Sequence, residues 1–422
     1  MSDYFDPVME TMPREERVAY YEKKVREIVH AAYERSPFMR EHFDKAGLGP
    51  SDITGPGDLP KAPLVKKAAI REAHKLFPPF GNLMSVDWAG LQRIYVSPGP
   101  IYGPEPVGEK RMKEVKALYS MGFREGDRVM VTLSFHLVPA GLLFDTVLRE
   151  LGAIVIPTGV GNVELQVGVM RDLQATGYIG TATFLMNLIK KAGEMGLSFG
   201  KEIVLHKALL TAEKVPKSLR KTFEEDYGIS TAEGYGTAEA GLFAYECSEK
   251  SGMHIAEEVL VEIVDPDTGE PVPERETGEI VVTHFSSTFP LIRFGTGDLS
   301  CLRTEPCPCG RTSARLGEIV GRVGDSYKAR GMFIHDPQVR AVVEKVQAVR
   351  QGVLVITREH DRDKLTFKVE LKDERINKKE VRKSLEEAFK DLCRLKVDEV
   401  EFYPEGTIRV EDKALLDERK WE

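Results

Sequence analysis

The sequence predicts an α/β fold in two domains: a large N-terminal domain over residues 1–321 and a small C-terminal α+β domain over residues 322–422. A chain of 422 residues is too long for one ordinary hydrophobic core, so more than one domain is expected. In its middle, short apolar runs alternate with helical patterns, which is typical of a parallel sheet. After residue 321 the pattern starts again as a module of strands and a helix.

The composition narrows the classes of protein to which the chain can belong. Hydrophobic residues make up 42% and charged residues 30% of the chain, as in soluble globular proteins. The net charge of −8 argues against a nucleic-acid partner. No apolar run approaches the roughly 18 residues of a membrane-spanning helix, and the N-terminus lacks a leader pattern, so no membrane partner is expected. Five cysteines in so long a chain do not make a disulfide scaffold, which favours a cytoplasmic location.

The elements of the large domain follow in order along the chain. Residues 14–49 predict one or two amphipathic helices, and a proline- and glycine-rich passage follows at residues 50–64. From residue 128, four strands alternate with helices, and residues 258–283 predict an antiparallel hairpin. The four strands are R-V-M-V-T-L-S-F, A-I-V-I-P-T, G-Y-I-G-T-A and A-L-L-T-A-E.

The small domain is predicted from a second set of patterns. V-L-V-I-T-R, K-L-T-F-K-V-E-L and D-E-V-E-F-Y alternate like strands, and K-K-E-V-R-K-S-L-E-E-A-F-K-D-L predicts a helix. A module of this size at the end of the chain lies where a mobile lid is expected.

Two turns carry the pattern of a nucleotide site. E-G-Y-G-T-A-E-A-G occupies residues 233–241, and R-F-G-T-G-D-L occupies residues 293–299. The glycines allow the backbone to approach a flat ligand, Tyr235 offers an aromatic face, and Glu239 offers a hard oxygen to Mg²⁺. Asp298 is a carboxylate that can accept both hydroxyls of a ribose. In this order the two turns resemble the paired signature of adenylate-forming enzymes.

With these landmarks, the chain resembles the phenylacetate–CoA ligase family of adenylate-forming (AMP-binding) enzymes over nearly its whole length. E-T-M-P-R-E-E at 10–16, S-P-F-M-R-E-H-F-D-K-A-G at 36–47 and D-L-P-K-A-P at 58–63 resemble the N-terminal helical region of that family. The resemblance implies a large multi-subdomain N-terminal domain with a parallel α/β core and an antiparallel, zinc-bearing part. A small C-terminal lid domain would follow.

The resemblance also implies an activity. An organic carboxylate, aryl or related, would attack the α-phosphate of ATP, and the acyl group of the resulting acyl adenylate would pass to CoA. Thr211-Ala212-Glu213 resembles a nucleotide-contacting strand end in the family. The residues implied to bind the nucleotide are Ser97, Gly99, Glu213, Gly234, Tyr235, Gly236, Thr237, Asp298 and Arg322.

Two further segments resemble the moving parts of the family. G-R-V-G-D-S-Y-K-A-R-G at 321–331 resembles its hinge, with Asp325 as the pivot and Arg330 after it. E-D-K-A-L-L-D-E-R-K resembles its C-terminal ending, which gives Lys413 the place of the lysine that bridges the acyl oxygen and the α-phosphate. The other interpretation of Lys413 is a solvated lysine in a charged tail. The resemblance leaves a homodimer open.

The segment that corresponds to the phosphate loop departs from the family pattern. V-S-P-G-P-I-Y-G-P-E-P at 96–106 keeps Ser97 and Gly99 but lacks the threonines and the lysine, and its prolines have no N–H to donate. Glu105 is expected to add negative charge where polyphosphate would lie. Two alternatives to a ligase therefore stay open: a non-ligating homologue that binds AMP or an acyl adenylate, and a cofactor adenylyltransferase.

The sequence also contains a candidate metal site. Cys-x6-His followed by Cys-x-Cys-Gly supplies four ligands, the number in a closed structural zinc site. The ligands would be Cys247, His254, Cys307 and Cys309. The alternative is a set of unpaired buried cysteines. Cys301 is near enough in sequence to compete as a ligand, whereas Cys393 is expected in the core of the small domain.

The acyl pocket is expected from the segment S-F-H-L-V-P-A-G-L-L-F-D at 134–145, which occupies the place where the family builds its pocket. Phe135, His136 and Ala140, together with Pro139, could line an apolar slot for an aryl or medium-length acid. A lone histidine near a strand end is more often a structural residue, so a catalytic role for His136 is not favoured.

Overall fold

A computed structural model describes residues 3–97, 99–266, 268–319, 321–323, 326–330, 332–359, 362–373, 375–408 and 413–419. The chain divides into two compact units, Met1–Gly321 and Arg322–Glu422. Among the described helices, none is both long and apolar enough to cross a membrane.

The first unit begins with a helical region. Its helices are α1 (Pro7–Glu10), α2 (Arg14–Arg35), α3 (Pro37–Lys45) and α4 (Lys67–Leu76), with 3₁₀ turns at Pro50–Asp52, Pro56–Lys61 and Trp88–Gly90. The Ser36 hydroxyl caps α3 by accepting a hydrogen bond from the Met39 N–H. Val29 of α2 and Phe43 of α3 are fully buried in one core, as an amphipathic pattern requires. The helices predicted within residues 14–49 are therefore confirmed.

The remaining elements of this unit alternate between helix and strand. The helices are α5 (Met112–Ser120), α6 (Ala140–Glu150), α7 (Val163–Asp172), α8 (Ala182–Glu194) and α9 (Lys217–Lys221), followed by a π-helical turn at Thr222–Asp226. The strands are β1 (Val65–Lys66), β2 (Leu91–Val96), β3 (Tyr102–Pro106), β4 (Arg128–Val131), β5 (Ile154–Ile156), β6 (Gly177–Gly180), β7 (Lys207–Leu210), β8 (Ser230–Thr237), β9 (Gly241–Glu246), β10 (Met253–Ile255), β11 (Val259–Val264), β12 (Gly278–His284), β13 (Leu291–Ser300), β14 (Leu302–Arg303), β15 (Arg315–Leu316) and β16 (Gly321–Arg322).

The larger sheet has the order β14-β15-β10-β9-β8-β7-β6-β4-β5. Strands β5, β4, β6, β7 and β8 run parallel, and those from β8 to β14 run antiparallel. In the centre, Val131 pairs with Ile179, which pairs with Leu209 and then Ala232, so buried apolar residues cross the sheet in register. The four predicted strands are all present. Ligands of such sheets bind beyond the carboxyl ends of the parallel strands.

A second sheet has the order β1-β13-β12-β11. The hairpin predicted within residues 258–283 is confirmed as β11 and β12, where Val261 pairs with Val282. Strand β13 continues the antiparallel pairing, and the short β1 joins it in parallel. Strands β2 and β3 form a separate hairpin in which Val96 pairs with Tyr102.

The second unit is an α+β module, as predicted. Its elements are β17 (Ser326–Ala329), β18 (Met332–His335), α10 (Asp336–Lys345), β19 (Val349–Glu359), β20 (Arg362–Leu371), α11 (Lys378–Cys393), β21 (Glu399–Tyr403) and β22 (Leu415–Asp417). The main sheet has the order β21-β20-β19-β22, and β17 pairs with β18. Phe389 of α11 packs edge-on against Phe367 of β20, with ring centroids 5.9 Å apart. Cys393 is buried in the same core, which confirms the prediction for that residue.

Candidate active site

The two nucleotide turns meet in the first unit. The Tyr235 hydroxyl donates a hydrogen bond to Asp298 Oδ2 at 2.9 Å, although the two residues are 63 positions apart. Tyr235 lies in β8 of the larger sheet and Asp298 in β13 of the second sheet. The Tyr235 ring packs edge-on against Phe243, with centroids 5.3 Å apart, so the hydroxyl is held towards Asp298. The two motifs that the sequence presents separately form one site.

The backbone of the first turn is tightly folded. A Cβ on Gly236 would lie 2.2 Å from the carbonyl oxygen of Gly241, so only glycine fits at this position. The Thr237 hydroxyl accepts a hydrogen bond from the Ala240 N–H at 3.1 Å and closes the turn. The carbonyl of Gly234 accepts a hydrogen bond from the Thr211 hydroxyl, which ties the turn to the end of β7.

Glu239 follows this turn with its side chain only 4% exposed. The Lys67 ammonium of α4 lies 3.7 Å from Oε2, and that oxygen has no hydrogen-bond partner among the described residues. A buried carboxylate oxygen without a donor is costly unless a cation or another ligand satisfies it. Hard oxygens of this kind are the ligands that Mg²⁺ prefers, so the residue fits the predicted magnesium role.

Glu213 lies beyond the end of β7. Its Oε1 accepts a hydrogen bond from the Thr183 N–H in the first turn of α8, at 2.7 Å. The preceding Ala212 adopts the left-handed conformation, with φ +71°. The predicted nucleotide-contacting residue therefore sits at the carboxyl edge of the parallel strands.

A cavity of about 80 Å³ opens beside Glu239. Its lining includes Ser97, Lys113, Pro139, Leu143, Thr237 and Glu239. The predicted pocket segment thus contributes Pro139 and Leu143, one helical turn apart at the start of α6.

The other pocket residues of that segment lie elsewhere. His136 is exposed, Phe135 and Ala140 are half-buried, and none of the three borders this cavity. The His136 N–H donates to the Ser134 hydroxyl, which holds the segment in a turn before α6. A pocket role for Phe135, His136 and Ala140 stays a prediction.

The stretch at 96–106 is the tip and second strand of the β2–β3 hairpin. Ser97 is buried; its N–H donates to the Ile101 carbonyl, and its hydroxyl accepts from the Ile101 N–H at 3.1 Å. These bonds close the loop and use two of its few N–H groups. The Arg71 guanidinium of α4 lies beside Gly99, 3.9 Å from where a Cβ would stand.

Glu105 corrects an expectation from the sequence. It is buried in β3 and accepts hydrogen bonds from Tyr95 at 2.5 Å, Arg111 at 3.0 Å and Arg93 at 3.2 Å. Although burial opposes ionisation, these hydrogen bonds and the two guanidinium charges hold the pKa of Glu105 below its ordinary value. The charges of Arg93 and Arg111 compensate that of Glu105. Glu105 therefore adds no net negative charge to the cleft, contrary to the expectation from the sequence.

The predicted hinge and lid residues belong to the second unit. Lys413 is half-buried just before β22, where the Leu415 N–H donates to Asp336 at 3.0 Å. Arg330 is exposed in the turn between β17 and β18 and donates to the carbonyl of Asp363 at 2.8 Å. Arg322 is half-buried in β16. Asp325 lies outside the described residues.

The four predicted zinc ligands converge. One ligand atom from each of Cys247, His254, Cys307 and Cys309 falls within 4.8 Å of the others. The sulfurs of Cys247 and Cys307 are 3.7 Å apart, and Cys309 Sγ lies 3.4 Å from His254 Nε2. A tetrahedral site with Zn–S bonds of about 2.3 Å separates its sulfurs by about 3.8 Å, so the spacing fits zinc. Cys301 is outside this group.

The protonation of the cluster suits a metal. Burial and the nearby guanidinium groups of Arg311 and Arg315 lower the pKa of His254 to about 3, so its imidazole is neutral. The Ser313 hydroxyl lies 3.3 Å from His254 Nδ1 and orients the ring. Burial raises the pKa of the Cys247 thiol to about 12, and metal binding would release that proton.

Comparison with known proteins accounts for this arrangement. The family described as AMP-binding enzyme matches residues 110–287. The phenylacetate-coenzyme A ligase of Thermus thermophilus is 34% identical over 383 residues, which cover 87% of this chain and 84% of that protein. The chain belongs to the phenylacetate–CoA ligase family of adenylate-forming enzymes. The ligase of the same name from Pseudomonas putida is 30% identical over 357 residues, which cover 81% of this chain and 79% of that protein.

Solved structures give the same fold. A crystal structure of 2-hydroxyisobutyryl-CoA ligase in complex with 2-HIB-AMP and CoA has a TM-score of 0.90 at 24% identity, and the match covers 99% of this chain and 93% of that chain. The chain described here, as a member of the phenylacetate–CoA ligase family, is an AMP-forming acid–CoA ligase. It forms an acyl adenylate and transfers the acyl group to CoA. The predictions of family, fold class, function and enzyme class are confirmed.

Sequence analysis did not name Lys67, which lies near Glu239, or Lys113, Leu143 and His284, which line the cavity beside it. Leu143 could have been found, because it follows Pro139 at helical spacing in an apolar run. Lys113 lies in the charged stretch E-K-R-M-K-E-V-K, a composition that is ordinarily solvated, so no local pattern distinguishes it.

We predict that Glu105→Gln lowers the free energy of unfolding at pH 7 by about 3–5 kcal/mol, because it leaves Arg93 and Arg111 without their buried partner. A carboxyl whose pKa is lowered on folding stabilises the protein above its unfolded pKa, near 4.5, and this stabilisation is lost as pH falls through the folded pKa. The difference between variant and wild type should therefore shrink below pH 4.5 in denaturant titrations. Glu109→Gln, at a more exposed partner of Arg111, is the control; an equal effect from both would contradict the assignment.

Proposed function

We propose that this acid–CoA ligase binds Mg·ATP and an aryl or related organic acid in the cleft that contains Tyr235, Glu239 and Asp298. The hydrogen bond between Tyr235 and Asp298 carries the proposal, because it brings the two nucleotide turns into one site. Relatives up to 34% identical bear the name phenylacetate-coenzyme A ligase, which supports an aryl acid as substrate.

The proposed roles follow from charge. Asp298 accepts the ribose hydroxyls while Tyr235 holds one of its oxygens, and the flat face of Tyr235 borders the base. Glu239 would hold Mg²⁺ through Oε2, which accepts no hydrogen bond from a described residue, and the bound ion would offset negative charge on the phosphates. Lys413 donates to the acyl oxygen and the α-phosphate, where charge develops as pyrophosphate leaves.

The second unit is proposed as the lid that carries Lys413. The resemblance of residues 321–331 to the family hinge supports this role, with Asp325 as the pivot. Arg330 is bound to β20 and to Asp398 within its own unit, which would let it move with that unit. We also propose a cytosolic location, supported by the cysteine usage, and a homodimer, which rests on the family resemblance alone.

The adenylation step is tested by pyrophosphate release from Mg·ATP across a panel of aryl and alkyl acids. We expect release that depends on the acid, a fall of about 10²–10³-fold in kcat for Lys413→Ala, and a raised Mg²⁺ requirement for Glu239→Gln. Lys396→Ala, at an exposed lysine of the same unit, is the matched control and should keep the wild-type rate. Equal rates for Lys413→Ala and Lys396→Ala would remove Lys413 from the mechanism.

We propose further that the cluster of Cys247, His254, Cys307 and Cys309 holds one structural Zn²⁺. All four positions of a tetrahedral site are filled by protein ligands, so no position is open for a substrate. The cluster ties β9 and β10 to the loop before β15 and would stabilise this end of the larger sheet.

Metal analysis of the purified protein tests the zinc proposal. We expect about one zinc per chain in the wild type and in Cys301→Ser, and loss of zinc with a lower melting temperature in Cys307→Ser. Cys301 is the control because it is a cysteine outside the cluster. Wild-type protein free of zinc, or zinc retained in Cys307→Ser, would refute the site.

A further inference from the structure

Helix α5 brings a buried lysine to the cavity beside Glu239. Lys113 is 5% exposed, and its ammonium donates to the Ala240 carbonyl at 2.5 Å. The same nitrogen lies 3.0 Å from His284 Nε2 at the end of β12, and both side chains border the cavity. Burying an ammonium costs free energy unless hydrogen bonds or an opposite charge compensate it, so its position beside a cavity suggests that a ligand contributes to this compensation.

The partners of Lys113 leave one donor available. An ammonium only donates, so His284 Nε2 accepts and Nδ1 carries the ring proton. Burial, together with the charges of Lys113 and Arg111, lowers the pKa of His284 well below its ordinary value, which keeps the ring neutral. Of the three N–H bonds of Lys113, Ala240 and His284 take two.

The nearest carboxylate does not fully match this charge. Glu114 Oε1 lies 3.5 Å from the Lys113 ammonium, and neither Glu114 oxygen has a hydrogen-bond partner among the described residues. Burial raises the pKa of Glu114, although the charges of Lys113 and Arg111 oppose the shift. Arg111, the other cation at this cavity, is already paired with Glu105 and Glu109. Among the described residues that line this cavity, Lys113 is therefore a cation whose nearest carboxylate makes no hydrogen bond to it.

The Lys113 ammonium lies at the end of the nucleotide turn that follows Glu239. Its ammonium reaches the carbonyl of Ala240, past Glu239, and lies within 3.3 Å of where a Cβ on Gly241 would stand. Gly241 has φ +69°, and a Cβ there would also stand 2.6 Å from Glu114 Oε1, so only glycine lets both side chains approach this turn. Pro139 and Leu143 supply apolar walls to the same cavity.

We propose that Lys113, positioned by His284, recognises a second oxygen-bearing group on the acyl substrate. The enzyme then prefers carboxylic acids that carry a hydroxyl, an oxo group or a second carboxylate to acids whose acyl part is wholly apolar. This specificity rests on the proposed function, since it assigns the acyl end of that cleft. The other oxygen-rich ligand in the cleft is the polyphosphate of ATP, and the test separates the two.

The experiment compares kcat/KM for adenylation of matched acids: phenylacetate against its 4-hydroxy and 4-carboxy derivatives, and propanoate against lactate and succinate. We expect wild-type preference for at least one oxygenated acid and a fall of that preference by about 10–100-fold in Lys113→Met, as for loss of a charged donor. Lys113→Arg should restore part of the preference. The KM for ATP should stay within about twofold, and Lys110→Met, at an exposed lysine before α5, should match the wild type.

Four outcomes would overturn the inference. An unchanged preference in Lys113→Met removes the residue from acid recognition. A KM for ATP that rises equally with every acid assigns it to polyphosphate, and an equal loss for all acids with a lower melting temperature assigns it to folding. A wild-type protein that adenylates no acid in the panel, while it still binds AMP, would instead refute the proposed function, and the inference with it.

Discussion

The hydrogen bond from the Tyr235 hydroxyl to Asp298 joins two sheets whose described strands do not pair with each other, and the candidate site depends on it. Each sheet contributes one half of the predicted nucleotide signature, and we propose that the two halves hold AMP together. The tight turn at Gly236 fixes the backbone next to Tyr235. The packing of the Tyr235 ring on Phe243 orients the side chain. Because the bond also constrains one Asp298 oxygen, the carboxylate is oriented before a ligand arrives, which lowers the entropy lost on binding.

The two buried carboxylates of the cleft, Glu105 and Glu239, differ in how far their oxygens are hydrogen-bonded. Glu105 is enclosed by two arginines and a tyrosine, and its charge serves the β2–β3 hairpin. Glu239 has one lysine at 3.7 Å and an oxygen with no donor among the described residues. The first arrangement stabilises structure, since all its polar groups are satisfied, and the second is suited to a cation. Because the charge of Glu105 is compensated, its presence in the segment 96–106 is compatible with a ligase.

Much of this architecture could be predicted from the sequence, and the misses have physical causes. Tyr235 and Asp298 belong to short motifs whose glycines and charged residues indicate a nucleotide site. The four residues of the proposed zinc site belong to two short spacings. The partners of Glu105 could not be found, because Arg93 lies on the opposite strand and Arg111 lies beyond β3. Lys113 was missed for the same reason. Side chains that converge from several elements leave no periodic signal, and only the fold brings them together.

The central claim, that Tyr235 and Asp298 form one AMP half-site, is tested most directly by calorimetric titration of AMP into wild type and Asp298→Asn. The account predicts that Asp298→Asn weakens binding by about 10–100-fold, because an amide is a poorer acceptor for two ribose hydroxyls and loses the charge. Thermal unfolding of both proteins verifies that the fold is kept. An AMP affinity that is unchanged in a folded Asp298→Asn would contradict the claim.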